Sequence, residues 1–248
     1  MATLAPGERL ALAKSRFEAQ SDPEYAEKQA RYLRYHFQFY GLAAPVWVPI
    51  SKTLFREYGL FHGEDLMEFL ELCYDEDQRE LHYLGLQMVE KALKKQPSDF
   101  IRCLEGAVQQ NAWWDSVDWI AKLVGIHFLR YPDLIPSYNA AWMASDQFWL
   151  QRVAIIFQLR YREKTDEALL YQNILAVATS QEFFLQKAAG WALRQYSRTD
   201  PNSVKHFIQN HELPALTVRE GARLMKQAAT WYAPLPARWY EDLMCCSP

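Results

Sequence analysis

An all-α chain is what the 248 residues predict, and three observations carry that reading. Apolar residues recur at i, i+3, i+4 and i+7 along most of the sequence, alternation of period two never persists, and no Asn-Gly or Asp-Gly pair is present to turn a hairpin.

Helix starts succeed one another at intervals of roughly fifteen to twenty residues, the length of a helix and its loop. Asp22-Pro23 opens EYAEKQARYLRYHF, Gly63 opens EDLMEFLELCY, and Pro97-Ser98 opens DFIRCLEGAV. Asp115, Pro132 and Asp146 mark the next three starts, and Thr165 precedes DEALLYQNILAVA. Asp200-Pro201 comes next, and Thr217 with Glu220 three residues on has the form of a capping box. Short helices joined by short loops make antiparallel pairs. About a dozen helices paired at about forty residues per pair fit the period of a HEAT-like or armadillo solenoid. The expected architecture is therefore a right-handed α-solenoid with a concave basic groove. With no marked linker in the sequence, residues 1–248 are expected to form a single domain.

Half of the residues are hydrophobic, enough for a large core and against disorder. The first residues lack the apolar stretch of a leader, and no run of eighteen uncharged apolar residues occurs, so a soluble, intracellular protein without a membrane partner is expected. Cys73, Cys103, Cys245 and Cys246 have no metal or disulfide spacing and read as reduced thiols. The six histidines show no ligand pattern, and no phosphate loop, nucleophile elbow or dinucleotide fingerprint is present, so neither a metal nor another cofactor is expected. Net charge is only −3, but residues 1–120 carry 13 basic and 19 acidic side chains while residues 121–230 carry 13 and 9. The second stretch is the better place for a polyanion.

Three stretches carry chemistry. In "NAWWDSVDWIAKLV", residues 111–124, Val117, Ile120, Ala121 and Val124 form a core stripe and leave Trp114, Asp118 and Lys122 on a separate line at i, i+4, i+8. The bland alternative makes Asp115 the N-cap, Asp118 a partner of the helix dipole and the tryptophans gap fillers. In "QEFFLQKAAGWALRQYSR" the core residues leave Lys187, Trp191, Arg194 and Arg198 together, a stripe suited to a phosphodiester backbone or, equally, to a solvated face. Arg219, Arg223 and Lys226 repeat the basic line. In "DQFWLQRVAIIFQLR", Arg152 sits among apolar neighbours and requires an acidic partner or an anionic ligand. The aromatic "YLRYHFQFYG", residues 32–41, reads as core packing, and "DEDQRE", residues 75–80, as a solvated turn.

In order and separation, "WWDSVD" at 113–118, "RVAI" at 152–155 and "GWALRQYS" at 190–197 resemble the AlkD-type DNA alkylation repair glycosylases, over at least residues 30–230. The resemblance implies HEAT-like repeats and an enzyme that removes cationic N3- or N7-alkylated purines from duplex DNA, the base staying stacked; a solenoid of this size needs no partner, so a monomer is expected. It puts the catalytic aspartate on Asp118, the active-site tryptophans on Trp114 and Trp191, and the phosphate-side arginine on Arg152. Two other readings stay open: a non-catalytic module for damaged or branched DNA, and a scaffold whose tryptophans anchor a protein partner.

Overall fold

The computed structural model describes residues 4–225, and among them lie thirteen α-helices, four short 3-10 turns and a single isolated bridge, Gln38 to Gln78. The all-α expectation holds. The helices fall into two compact units, Met1–Pro132 and Asp133–Pro248. No described helix is long and apolar enough to cross a membrane.

In the first unit the helices are α1 (Pro6–Glu18), α2 (Pro23–Tyr32), α3 (Ala44–Tyr58), α4 (Gly63–Tyr74), α5 (Arg79–Ala92), α6 (Ile101–Gln109) and α7 (Trp114–Arg130). Helix α4 packs on α5 and α6 on α7, as consecutive short-looped helices should, while α1 covers α3 and α4. The centre of this unit is apolar and dry: Leu66, Phe69, Leu81, Leu84 and Met88 have no exposed surface. The second unit holds α8 (Ile135–Met143), α9 (Phe148–Ile156), α10 (Glu167–Ala176), α11 (Phe183–Tyr196), α12 (Pro201–Asn210) and α13 (Ala215–Gly221), with α11 packed between α9 and α13. A Cβ at Gly190 would lie 2.5 Å from the Glu220 Cβ, so the closeness of α11 and α13 depends on that glycine.

Several helix starts are where aspartate places them. Asp22 accepts the Tyr25 N–H at 3.0 Å and Asp200 the Ser203 N–H at 2.9 Å, each offering an orphan donor of the first turn a side-chain acceptor. At α10 the cap is Asp166, which accepts the Leu169 N–H, rather than Thr165. Two starts are corrected. Asp115 is not the cap of α7, whose N-cap is Trp113. Thr217 and Glu220 form no capping box: α13 is already under way at Ala215, the Thr217 hydroxyl donates to the Gln186 carbonyl, and Glu220 turns to two cations on α11.

The helix expected from Asp22 stops at Tyr32, because Arg34 and Tyr35 adopt left-handed backbone with φ of 57° and 58°. The loop after it is held by one side chain. Glu80, fully buried, accepts the backbone N–H groups of Tyr40, Gly41 and Leu42 at 3.1, 3.0 and 2.9 Å. Burial pushes its carboxyl up, and the backbone donors offset that only in part. Gly41 has a φ of +86°, and a Cβ there would stand 1.9 Å from the Asp22 carbonyl oxygen, so the crossing admits glycine alone.

Glu80→Ala strands three backbone donors, two of them buried with it, and is expected to lower the unfolding free energy by about 3 kcal/mol or more, at about 1–3 kcal/mol per orphaned buried donor. Urea titration reads this as a lower midpoint at unchanged slope, with Glu80→Gln losing less because its amide oxygen still accepts.

Candidate functional site

The start of α7 is fixed by a buried ion pair that spacing along the chain does not announce. Arg79, the first residue of α5, has no exposed surface, although its segment reads as a solvated turn. Its Nε and Nη2 donate to the two oxygens of Asp115 at 3.0 and 2.9 Å. Nη2 also donates to the Ser116 hydroxyl at 2.7 Å, and Nη1 donates to the Asn111 carbonyl at 2.8 Å and to His82 Nδ1 at 2.9 Å. The guanidinium carbon lies 3.8 Å from the centre of the Phe37 ring, and the Tyr83 hydroxyl donates to Asp115 at 2.6 Å. A bidentate guanidinium with each nitrogen engaged meets the condition under which a buried pair holds a structure in place.

Trp114 and Asp118 sit one turn apart on this fixed helix start, both half-buried. The Tyr32 ring meets Trp114 edge-on at 5.8 Å while remaining 72 % exposed. Trp114, Tyr25, Tyr32, Phe39 and Tyr83 line an open cavity of about 300 Å³, with Lys28 also on its wall. Residues 32–41 are thus split between packing and display: Phe37 stacks on Arg79, His36 lies 4.1 Å from the Trp113 ring, and Tyr32 and Tyr35 face water. Lys122, on the same line of α7, is 2.8 Å from Glu90, which also accepts the Trp119 indole N–H at 2.6 Å. Burial alone would raise the Glu90 carboxyl, and these two donors hold it below its ordinary value.

In the second unit, Arg152 on α9 is 5 % exposed and donates from Nη1 to the Phe184 carbonyl of α11 at 2.6 Å. Trp191 is half-buried on α11, with Lys187 and Arg194 a turn away on either side. Neither cation is simply solvated. Glu220 lies 3.0 Å from Lys187 and 2.6 Å from Arg194, and although its partial burial works against ionisation, the two cations hold its carboxyl below the usual range. Arg198, Arg219 and Arg223 are exposed and have no acidic partner among the described residues. Lys226 lies outside the described residues, as do Cys245 and Cys246. No group of side chains among the described residues suits a metal ion.

Sequence reasoning missed two features, the buried polar cluster at the start of α5 and the pairing of Glu220 with α11. Arg79, Glu80 and His82 stand at the first turn of a helix whose remaining face is strongly apolar, so their burial was available from the register of Leu81, Leu84 and Met88. Nothing local pointed to Glu220 as the partner of two α11 cations.

Residues 13–225 match the family described as DNA alkylation repair enzyme. A solved structure described as a predicted DNA alkylation repair enzyme from Enterococcus faecalis is similar at 34 % identity with a TM-score of 0.78, covering 82 % of this chain and 95 % of that one. A comparison with curated proteins found no match.

Arg79→Met leaves the largely buried Asp115 without its cation and is expected to cost about 3 kcal/mol in denaturant unfolding; the double variant with Asp115→Leu should lose far less than the sum of the two single variants. His82 supplies a pH test. Its Nδ1 accepts from Arg79, so Nε2 carries the proton and donates to the Glu76 carbonyl, and burial together with the Arg79 charge pushes the imidazole down to about 4. A folded value below the unfolded one makes the unfolded chain bind more protons. This contribution is therefore present above about pH 6.5 and is lost as pH falls towards 4. Between pH 7 and pH 5 wild type should lose about 2 kcal/mol more than His82→Gln, measured by urea unfolding at the two pH values.

Proposed function

We propose, from the premise that this chain belongs to the DNA alkylation repair enzyme family, that it is a monomeric DNA glycosylase hydrolysing the N-glycosidic bond of cationic N3- and N7-alkylated purines in duplex DNA. The observation that carries the reading is the pairing of Trp114 with Asp118 one turn apart on α7, on a helix start locked by Arg79 and Asp115. An indole face and a carboxylate held together in this way suit a developing sugar cation, and in the second unit the buried Arg152 guanidinium and half-buried Trp191 suit a phosphodiester backbone. Antiparallel helix pairs of the HEAT-like kind, such as α4 with α5 and α6 with α7, are the repeats that go with this activity.

The chemistry needs no cofactor, since the leaving base already carries a positive charge. The C1′–N bond breaks with its electron pair passing to the purine, which leaves neutral. A water oxygen then bonds to C1′ and loses its proton towards Asp118 and solvent, giving an abasic site. A carboxylate about 4 Å from the sugar cation supplies about 4 kcal/mol at an effective dielectric of about 20. Each indole face adds about 0.5–2 kcal/mol, and the sum corresponds to a rate effect of roughly 10⁴. With the charge supplied by the lesion, the base can stay stacked, neutral lesions react poorly, and the work belongs to the compartment that holds the chromosome.

Single-turnover release of 7-methylguanine from a defined duplex is the test. Wild type should release the base, and Asp118→Asn and Trp191→Ala should each slow release by about tenfold or more, about 1.4 kcal/mol of transition-state stabilisation. Intact duplex binding by wild type without any base release would instead identify a non-catalytic DNA-binding module.

A further inference from the structure

With Lys187 and Arg194 held by Glu220, the open positive charge of the second unit gathers elsewhere. Arg160, Arg162 and Lys164 come just after the end of α9, and Arg198 just after the end of α11; all four are exposed, and none has an acidic partner among the described residues. Arg162 and Arg198 line a common cavity of about 360 Å³ between the ends of these helices, together with Gln195, Tyr196, Thr199 and Glu163.

The loop that presents Arg162 is held in place. The buried Gln158 side chain accepts the Asp166 N–H at 2.8 Å and donates to the Asp166 carbonyl at 3.3 Å, and Tyr161 is buried at 8 % exposure. Between these anchors Arg162 takes a left-handed backbone with φ of 54°, a conformation that arginine seldom adopts and that directs its side chain to the cavity wall. Two guanidinium forks, an amide and a hydroxyl around one opening suit the oxygens of a phosphodiester, with the half-buried Tyr196 ring available to its sugar.

We propose that this cavity is a second phosphate site, seating a DNA backbone phosphate about 10 Å of helix beyond Trp191, the rise of the seven residues from Trp191 to Arg198. It rests on the reading of the chain as a DNA enzyme but does not depend on base release. Glu163 is the one carboxylate on the wall, and it opposes the bound anion.

Binding of an unmodified duplex, followed by fluorescence anisotropy across a potassium chloride series, tests the site. Arg162→Asn tolerates the left-handed backbone, so the double variant Arg162→Asn/Arg198→Gln removes both charges without new strain. Its slope of log affinity against log salt is expected to fall in magnitude by about 0.9 from the wild-type value, the loss of one neutralised phosphate, and Glu163→Gln is expected to bind more tightly than wild type. An unchanged slope in a double variant of wild-type melting temperature overturns the proposal. If the double variant melts early, the exposed Arg198→Gln alone should weaken duplex binding and lower the slope by less than about 0.9, and no change in either overturns it equally. In a parallel titration with inorganic phosphate at constant ionic strength, a phosphate-dependent rise in melting temperature that the double variant lacks, with equal salt slopes, would assign the cavity to free phosphate and overturn the DNA assignment. A lowered slope in a protein that releases no 7-methylguanine would retain the phosphate site and reject the glycosylase.

Discussion

The ion pair between Arg79 and Asp115 is the constraint on which the first unit depends. One guanidinium ties together the start of α5, the turn at Asn111, the first residues of α7 and, through Phe37, the loop after α2. Removing a full positive charge from water is costly, and the cost is offset only because every nitrogen finds an acceptor. Such an arrangement tolerates little displacement. It gives Trp114 and Asp118, on the first turn of α7 that Asp115 anchors, the rigidity that a charge-stabilising site requires.

The local grammar of the fold was legible. Aspartate before proline at positions 22 and 200 announced α2 and α12, because an N-cap uses only residues within three positions of itself. Trp114, Asp118 and Trp191 became candidates as side chains left over once each helix had spent its apolar face on the core, and Arg152 as a cation among apolar neighbours. What escaped was non-local. Asp115 has the right type and place for a cap, but an arginine 36 residues earlier takes both of its oxygens. Thr217 and Glu220 have capping-box spacing, yet Glu220 serves Lys187 and Arg194 across the narrow gap above Gly190. Spacing cannot tell a carboxylate that caps its own helix from one that answers charges on another.

Counted by sequence, residues 121–230 look uniformly suited to a polyanion, with 13 cations against 9 acids. The folded chain redistributes that surplus. In the second unit Lys187 and Arg194 are answered internally, whereas Arg162 and Arg198 stand open around a cavity. Closed pairs in partly buried settings order the helices that carry them; open arginines contribute field and donors to whatever approaches. Within one unit the same residue type therefore does two jobs, and burial with partner geometry, rather than stripe position, decides which.

The tether of the 33–43 loop to Glu80 has a consequence for how the protein is made. The three backbone donors at Tyr40, Gly41 and Leu42 wait for an acceptor that lies 38 to 40 residues further along the chain. At roughly 5–20 residues per second of synthesis, the segment stays unanchored at the ribosome for about 2 to 8 seconds, with Phe37, Phe39 and Tyr40 in reach of other chains. Until α5 emerges these donors have only water to answer them, and its first turn is the element that closes the loop.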